Sequence, residues 1–243
     1  MKCPGQDTQH WKPGDIFDVP CPGCGRAVEF FKDDSSRACK ACGTRIANPR
    51  IDFGCAAYCS FARQCLKDLP PELLAQRKDI FKEKAACEMR RYFGNDRKRI
   101  QHAEKVASYA EHIGAQEHCD MAVVMAAAYL HDIGIREAEK RYNSTAARYQ
   151  EELGPRIACE ILQSIGADRR IIEEAAEIIG HHHHPRPEET MNFKVLYDAD
   201  LIVNLQEGDM EKPRDPEKLE LFINTKFLTE AGKRVAQEIF LKE

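Results

Sequence analysis

The chain has 243 residues, 43% of them hydrophobic and 31% charged, with a formal net charge of −4. That is enough apolar material for one or two cores. The charge balance leaves no basic footprint for nucleic acid and no polybasic membrane anchor, and no apolar run approaches the roughly 18 residues that span a bilayer.

The opening MKCPGQDTQHWKPGD carries no apolar h-region, so no secretory signal is read there and a cytoplasmic location is expected. Eight of the eleven cysteines fall in the first 65 residues. In a reducing compartment such clustered thiols point to metal ligation rather than disulfides. CPGC at 21–24 and CKAC at 39–42 are two CxxC hooks separated by 14 residues. Gly23, Gly25 and Gly43 permit the tight turns that aim both thiolates of each hook at one ion. Cys21, Cys24, Cys39 and Cys42 thus predict a structural zinc held as in a zinc ribbon, with four protein ligands and no open position. Cys3, Cys55, Cys59 and Cys65 remain. Cys55 and Cys59 are one helical turn apart, Cys3 can close the set, and His10 is an alternative donor. A second zinc or an iron–sulfur cluster would suit these thiols, and so would burial of Cys55 and Cys59 as small apolar residues.

LKDLPPELLAQRKD, with its Pro-Pro pair and charges, marks a boundary near residues 68–78. It divides a Cys-rich module, residues 1–70, from a helical domain, residues 79–243. In that domain DRKRIQHAEKVASYAEHIG opens at Asn95 or Asp96 and closes at Gly114, with His102, Val106, Tyr109 and Ile113 on one face. CDMAVVMAAAYLHDIG is apolar all round, as a central buried helix is. GPRIACEILQSIG places Pro155 near a helix start and Gly166 at its end. ADRRIIEEAAEIIG runs into HHHH at 181–184. FKVLYDADLIVNL is read as helix because its neighbours are helical, and FINTKFLTEAGKRVAQEIF as one last amphipathic helix. The expected fold is mostly α: an all-helical domain behind a small zinc-ribbon-like module.

His131 and Asp132 end the most apolar helix, where neither gains from burial without a partner. His102 lies on the apolar face of the preceding helix, the histidine run ends a third, and DAD at 198–200 sits inside an apolar stretch. Imidazoles and carboxylates meeting from four helices would form a mixed N/O cation site, admitting manganese, iron, nickel, cobalt or magnesium.

His102, the pair His131-Asp132 and Asp200 resemble the H…HD…D signature of the HD-domain metal-dependent phosphohydrolases, over roughly residues 95–205, with AAYLHDIGI and VLYDADLIVNL the most specific parts. The whole chain resembles a bacterial subgroup that joins a Cys-rich ribbon to such a domain. The resemblance implies one or two divalent ions held by His102, His131, Asp132 and Asp200, with Asp132 bridging where there are two. Two-metal relatives add a histidine pair after a later helix. The register from Ile179 assigns that pair to His182 and His183, with His181 a weaker candidate. His184 precedes Pro185, which turns it out of helical geometry, so it is read as exposed. Where such relatives carry a further histidine, this chain has Gln150 and Glu151. Glu151 is then a ligand, a base for the attacking water, or a solvated helix-start carboxylate. Oxygenase relatives carry a histidine three residues after the HD pair, where this chain has Ile135, which favours hydrolysis. Lys140, Arg141 and Arg148 are nearby cations, more simply read as exposed helix charge. The implied activity is metal-activated water attacking a nucleotide or another small phosphate ester, with Asp132 and Glu151 the candidate catalytic residues. The alternative is a metal- or redox-responsive regulatory protein whose HD site is degenerate. Membrane is not an expected partner, nucleic acid is disfavoured, and the sequence says nothing of oligomeric state.

Overall fold

The structure, a computed structural model, describes residues 12, 14–32, 34, 36–50, 78–208 and 210–241. Cys3, His10, Cys55, Cys59, Cys65 and the stretch from 68 to 77 lie outside the described residues. The chain divides into two compact units, Met1–Glu83 and Lys84–Glu243.

The first unit contains two short hairpins, elements not resolved in the sequence reading because each strand has only three to five residues. Strand β1 (Ile16–Pro20) pairs antiparallel with β2 (Ala27–Phe31), and β3 (Ser36–Ala38) with β4 (Arg45–Ala47). Each CxxC hook is the turn of one hairpin. The turns repeat the same bonds: the Cys21 amide donates to the Arg26 carbonyl and the Gly25 amide to Cys21, both at 2.8 Å, and the Cys39 amide donates to Thr44 and the Gly43 amide to Cys39, again at 2.8 Å. Gly25 and Gly43 adopt φ of +72° and +76°, the left-handed conformation that excludes most side chains. Val28, Phe30 and Ile46 are buried with Cys21 and Cys39, and Phe17 and Val19 pack against them. So small an apolar cluster supplies little stability by itself.

The second unit is helical. After α1 (Lys78–Phe93), whose first residues fall within the first unit, come α2 (Arg97–Gly114), α3 (Met121–Leu130), α4 (Ile135–Tyr142), α5 (Ala147–Ser164), α6 (Arg169–Ile179), α7 (Met191–Glu207), α8 (Pro216–Lys226) and α9 (Glu230–Phe240). Side-chain caps set most starts: Asp96 accepts from the Arg99 amide, Asp120 from Ala122, Asp168 from Arg170 and Thr190 from Phe193. Helix α3 is central, packing on α2, α5, α6 and α7, and every residue from Val123 to Leu130 is buried. That explains its uniform apolarity. Helix α7 packs along α2 and α3 and is also largely buried. No helix among the described residues is long and apolar enough to cross a membrane.

Two expectations need correction. Pro155 does not start a helix; it lies inside α5, which begins eight residues earlier at Ala147. Proline in a helix interior forfeits one hydrogen bond and crowds the carbonyl four residues back. Here tertiary contact overrides that local preference. A β-carbon on Gly134 would lie 2.3 Å from the Gln150 carbonyl oxygen and 2.9 Å from the Gly154 nitrogen, so α5 packs upstream of the proline against the loop after α3. The last predicted helix is two, broken at residues 227–229. There the buried Asp198 of α7 accepts from the Leu228 and Thr229 amides, both at 2.8 Å, and from the Thr229 hydroxyl at 2.7 Å. A carboxylate reaching into the backbone bonds more strongly than one helical turn and pulls the chain open.

Candidate metal centres

In the strand module the four sulfurs of Cys21, Cys24, Cys39 and Cys42 lie within 4.8 Å of one another. Cys21 Sγ is 3.5 Å from Cys42 Sγ, and Cys24 Sγ is 3.6 Å from Cys39 Sγ. These are far beyond the S–S bond of about 2.0 Å. They match the edge of about 3.8 Å that a tetrahedron acquires with four sulfurs each about 2.3 Å from one zinc. The packing is tight: a β-carbon on Gly23 would stand 2.6 Å from Thr44 Oγ1. Cys42 is held down near 6, first by the Thr44 hydroxyl, whereas Cys24, against the pull of the Arg26 amide, is lifted to about 12 by the neighbouring thiols. Four thiols at this spacing do not ionise together without a cation.

The helical cluster joins donors just past two helix ends to donors within two other helices. His131 caps α3, and its Nδ1 lies 2.9 Å from the Ala128 carbonyl. His182 follows α6, and its Nδ1 lies 3.0 Å from the Ile179 carbonyl. A carbonyl only accepts, so both Nδ1 atoms carry a proton and both Nε2 atoms face inward. His102, in the middle of α2, has Nδ1 3.0 Å from Glu207 Oε2 and Nε2 3.1 Å from Asp200 Oδ1. The Nε2 atoms of His102 and His131 are 3.3 Å apart. Asp132 Oδ2 is 3.5 Å from His131 Nε2 and 3.8 Å from His102 Nε2, while its Oδ1 is 3.7 Å from His182 Nε2. Two donors each about 2.1 Å from one ion are at most about 4.2 Å apart, so all these separations are within one ion's reach.

The donors form a string of three overlapping groups: His102, His131 and Asp200; His131, Asp132 and His182; Glu151, His182 and His183. Asp132 presents one oxygen to the first group and the other to His182. His182 Nε2 and His183 Nδ1 are buried without a hydrogen-bond partner. Burial, with His182 adjoining, pushes His183 down to about 4, so its lone pair is available throughout the neutral range. Against burial, the Asp132 and Asp200 carboxylates raise His131 to about 9, so without an ion a proton occupies the Nε2 position that a cation would take. Lone pairs and carboxylate oxygens crowded together in this way fit a cation, and the donor set suits a divalent one.

Glu151 accepts from the His183 amide at 3.1 Å and from His184 Nδ1 at 3.0 Å. Despite burial, His184 and that amide keep its carboxyl below the usual range. Glu151 meets only the His182–His183 end of the string. Gln150 is turned away, its amide donating to the Thr145 carbonyl at 2.5 Å. His181 is also turned away, to the Glu177 carbonyl and Glu189. His184 is exposed, as expected, yet it grips Glu151. Arg141 pairs with Glu137 at 2.6 Å, and Arg148 covers the Tyr149 ring. Asp198, two residues from Asp200, points the other way into the α9 start.

Sequence reasoning missed Glu207 and its partner Lys105, whose Nζ lies 2.7 Å from Glu207 Oε1. The signal was present: Glu207 is two helical turns beyond Asp200 and Lys105 one turn beyond His102, both on the faces already identified.

A family model described as HD domain matches residues 99–223, just over half of the chain. The chain is also similar to a crystal structure of a predicted HD superfamily hydrolase from an uncultured Thermotogales bacterium. The identity is 24%, with a TM-score of 0.48, covering 63% of this chain and 82% of that one. No curated protein matches the chain.

Proposed function

Because the chain belongs to the HD domain family, a superfamily of metal-dependent hydrolases, we propose that its helical unit hydrolyses a nucleotide or another small phosphate ester. The observation that carries this is the string of inward-facing imidazole nitrogens and carboxylates, two of whose nitrogens are buried without a partner. A degenerate regulatory site would not need to keep such a set.

In this reading His102, His131, Asp132 and Asp200 hold one divalent ion. Asp132, His182, His183 and Glu151 offer donors for a second. The N/O donors admit manganese, iron, nickel, cobalt or magnesium. When bound, such an ion supplies Lewis acidity, making water more acidic and offsetting charge on phosphoryl oxygens. The protein's own residues do the rest. The Nδ1 anchors of His131 and His182 keep their Nε2 atoms aimed inward. Glu151, held ionised by His184 and the His183 amide, is placed to accept a proton from the attacking water. Attack forms one phosphorus–oxygen bond as the bond to the ester oxygen breaks, and that oxygen takes a proton from water to leave as the alcohol. Cys21, Cys24, Cys39 and Cys42 hold a structural zinc with no part in the chemistry, and the division into a module of residues 1–70 and a domain of 79–243 follows those two roles.

The test is phosphate release from a panel of nucleotides and small phosphate esters, with Mn²⁺ added. Turnover of at least one compound is expected, with His131→Ala and Asp132→Ala each reduced by about 1,000-fold or more, roughly 4 kcal/mol of barrier. Undiminished turnover in those variants would refute the assignment of the site.

A further inference from the structure

Three imidazoles of the cluster present Nε2 inward, and each must have its Nδ1 proton held elsewhere. His131 and His182 find that partner in their own chain. They stand just past helix ends, where carbonyls three residues back have no helical donor of their own, and they bond the Ala128 and Ile179 carbonyls. His102 has no such recourse. It sits within α2, where the backbone carbonyls are committed to the helix, so its partner must come from another element. That partner is Glu207, at the end of α7, with Oε2 3.0 Å from His102 Nδ1. Asp200, two turns earlier on α7, meets the opposite edge of the same ring at 3.1 Å. Lys105 fixes the second oxygen of Glu207 at 2.7 Å, which keeps that carboxylate from rotating away. Only 15% of the Glu207 side chain is exposed, so little water competes for its oxygens.

We propose that Glu207, itself steadied by Lys105, is the positioning residue that fixes His102 as the Nδ1–H tautomer and so presents its Nε2 lone pair to the cation. This rests on the reading of the cluster as a cation site. A carboxylate behind a ligating imidazole orients the ring and raises its donor strength. Glu207 does not touch the reacting atoms; it acts through His102.

The experiment is a titration of the full-length protein with Mn²⁺, following free Mn²⁺ by electron paramagnetic resonance. Mn²⁺ is a hard ion that thiolates bind poorly, so the cysteines do not confuse the count. Wild type, Glu207→Gln, Glu207→Met and His131→Ala are compared. The tautomer of neutral His102 is read from its ring ¹⁵N shifts before Mn²⁺ is added, and thermal melting is followed alongside. Glu207→Met is expected to weaken Mn²⁺ binding by about 10- to 100-fold and to populate the other tautomer of His102. Glu207→Gln retains an acceptor, so it should restore the tautomer and recover most of the affinity. Two results overturn the inference while sparing the cation site. One is Mn²⁺ binding in Glu207→Met as tight as in wild type; the other is weaker binding with the His102 tautomer unchanged. Wild type that fails to bind Mn²⁺, indistinguishable from His131→Ala, overturns both.

Discussion

The cysteine set of the strand module and the donor string of the helical unit gather metal-binding groups in opposite ways. The four thiols come from two near-identical hairpin turns within 22 residues, Cys21 to Cys42, and all four lie in mutual reach. The helical donors come from separate segments between His102 and Asp200, and two of their nitrogens have no partner. A closed thiolate set is built to stay shut and hold a fold together. An open set of imidazoles and carboxylates, anchored by a scaffold that folds around it, keeps coordination available for chemistry. The small apolar cluster of the first unit would gain its stability from an ion on the four thiols, whereas the second unit has its own core around α3.

Stripping the first unit with a strong chelator should therefore produce the largest effect. Residues 14–50 lose amide-exchange protection, including at the Cys21, Gly25, Cys39 and Gly43 amides, while the α3 amides stay protected. Equal loss in both units would erase the contrast. Gly134→Ala comes next. Its new methyl meets the Gln150 carbonyl, so α5 and Glu151 must shift. We expect about 3 kcal/mol of lost stability in denaturant melts and a fall in turnover beyond what unfolding explains.

Asp198 and Asp200 sharpen the distinction between frame and site within one helix. Burial lifts Asp198 to about 6 even though three donors serve it. Asp198→Ala strands those donors and should cost about 2–3 kcal/mol without altering Mn²⁺ affinity. Asp200→Ala should do the reverse, abolishing Mn²⁺ binding with thermal stability near wild type. Matching behaviour in the two variants would merge the roles assigned here. The smallest effect belongs to Asp120 at the α3 start. Its carboxyl, burdened by burial, is nonetheless pulled below 3.8 by Arg170 and the Ala122 amide. The unfolded chain takes up this proton first as pH falls, so the contribution is complete above pH 3.8 and lost as pH drops through the folded value. With Arg170 largely exposed, Arg170→Ala should remove only about 0.5 kcal/mol of that acid-sensitive stability, seen in melts compared at pH 3 and pH 7.

The reading of the sequence was good where short-range spacing carries the physics. The CxxC hooks are complete within a few residues. The all-round apolarity of 121–130 states burial outright, and the histidine–aspartate pair at its end had no other local purpose. It failed where a distant group decides a local conformation. Nothing near Pro155 announces that Gly134 lies against the backbone of α5, and nothing in FINTKFLTEAG announces that Asp198 will open the chain at Leu228.

By itself, the sequence determined the helical periodicity, the caps and the chemical types of the donors, because these depend on neighbours one turn away. Tertiary structure decided which of Asp198 and Asp200 faces the other donors, which glutamate meets His183 and His184, and which carboxylate stands behind His102. Those choices turn on hydrogen bonds of about 3 Å between segments 30 to 105 residues apart, and a one-dimensional pattern does not encode such distances.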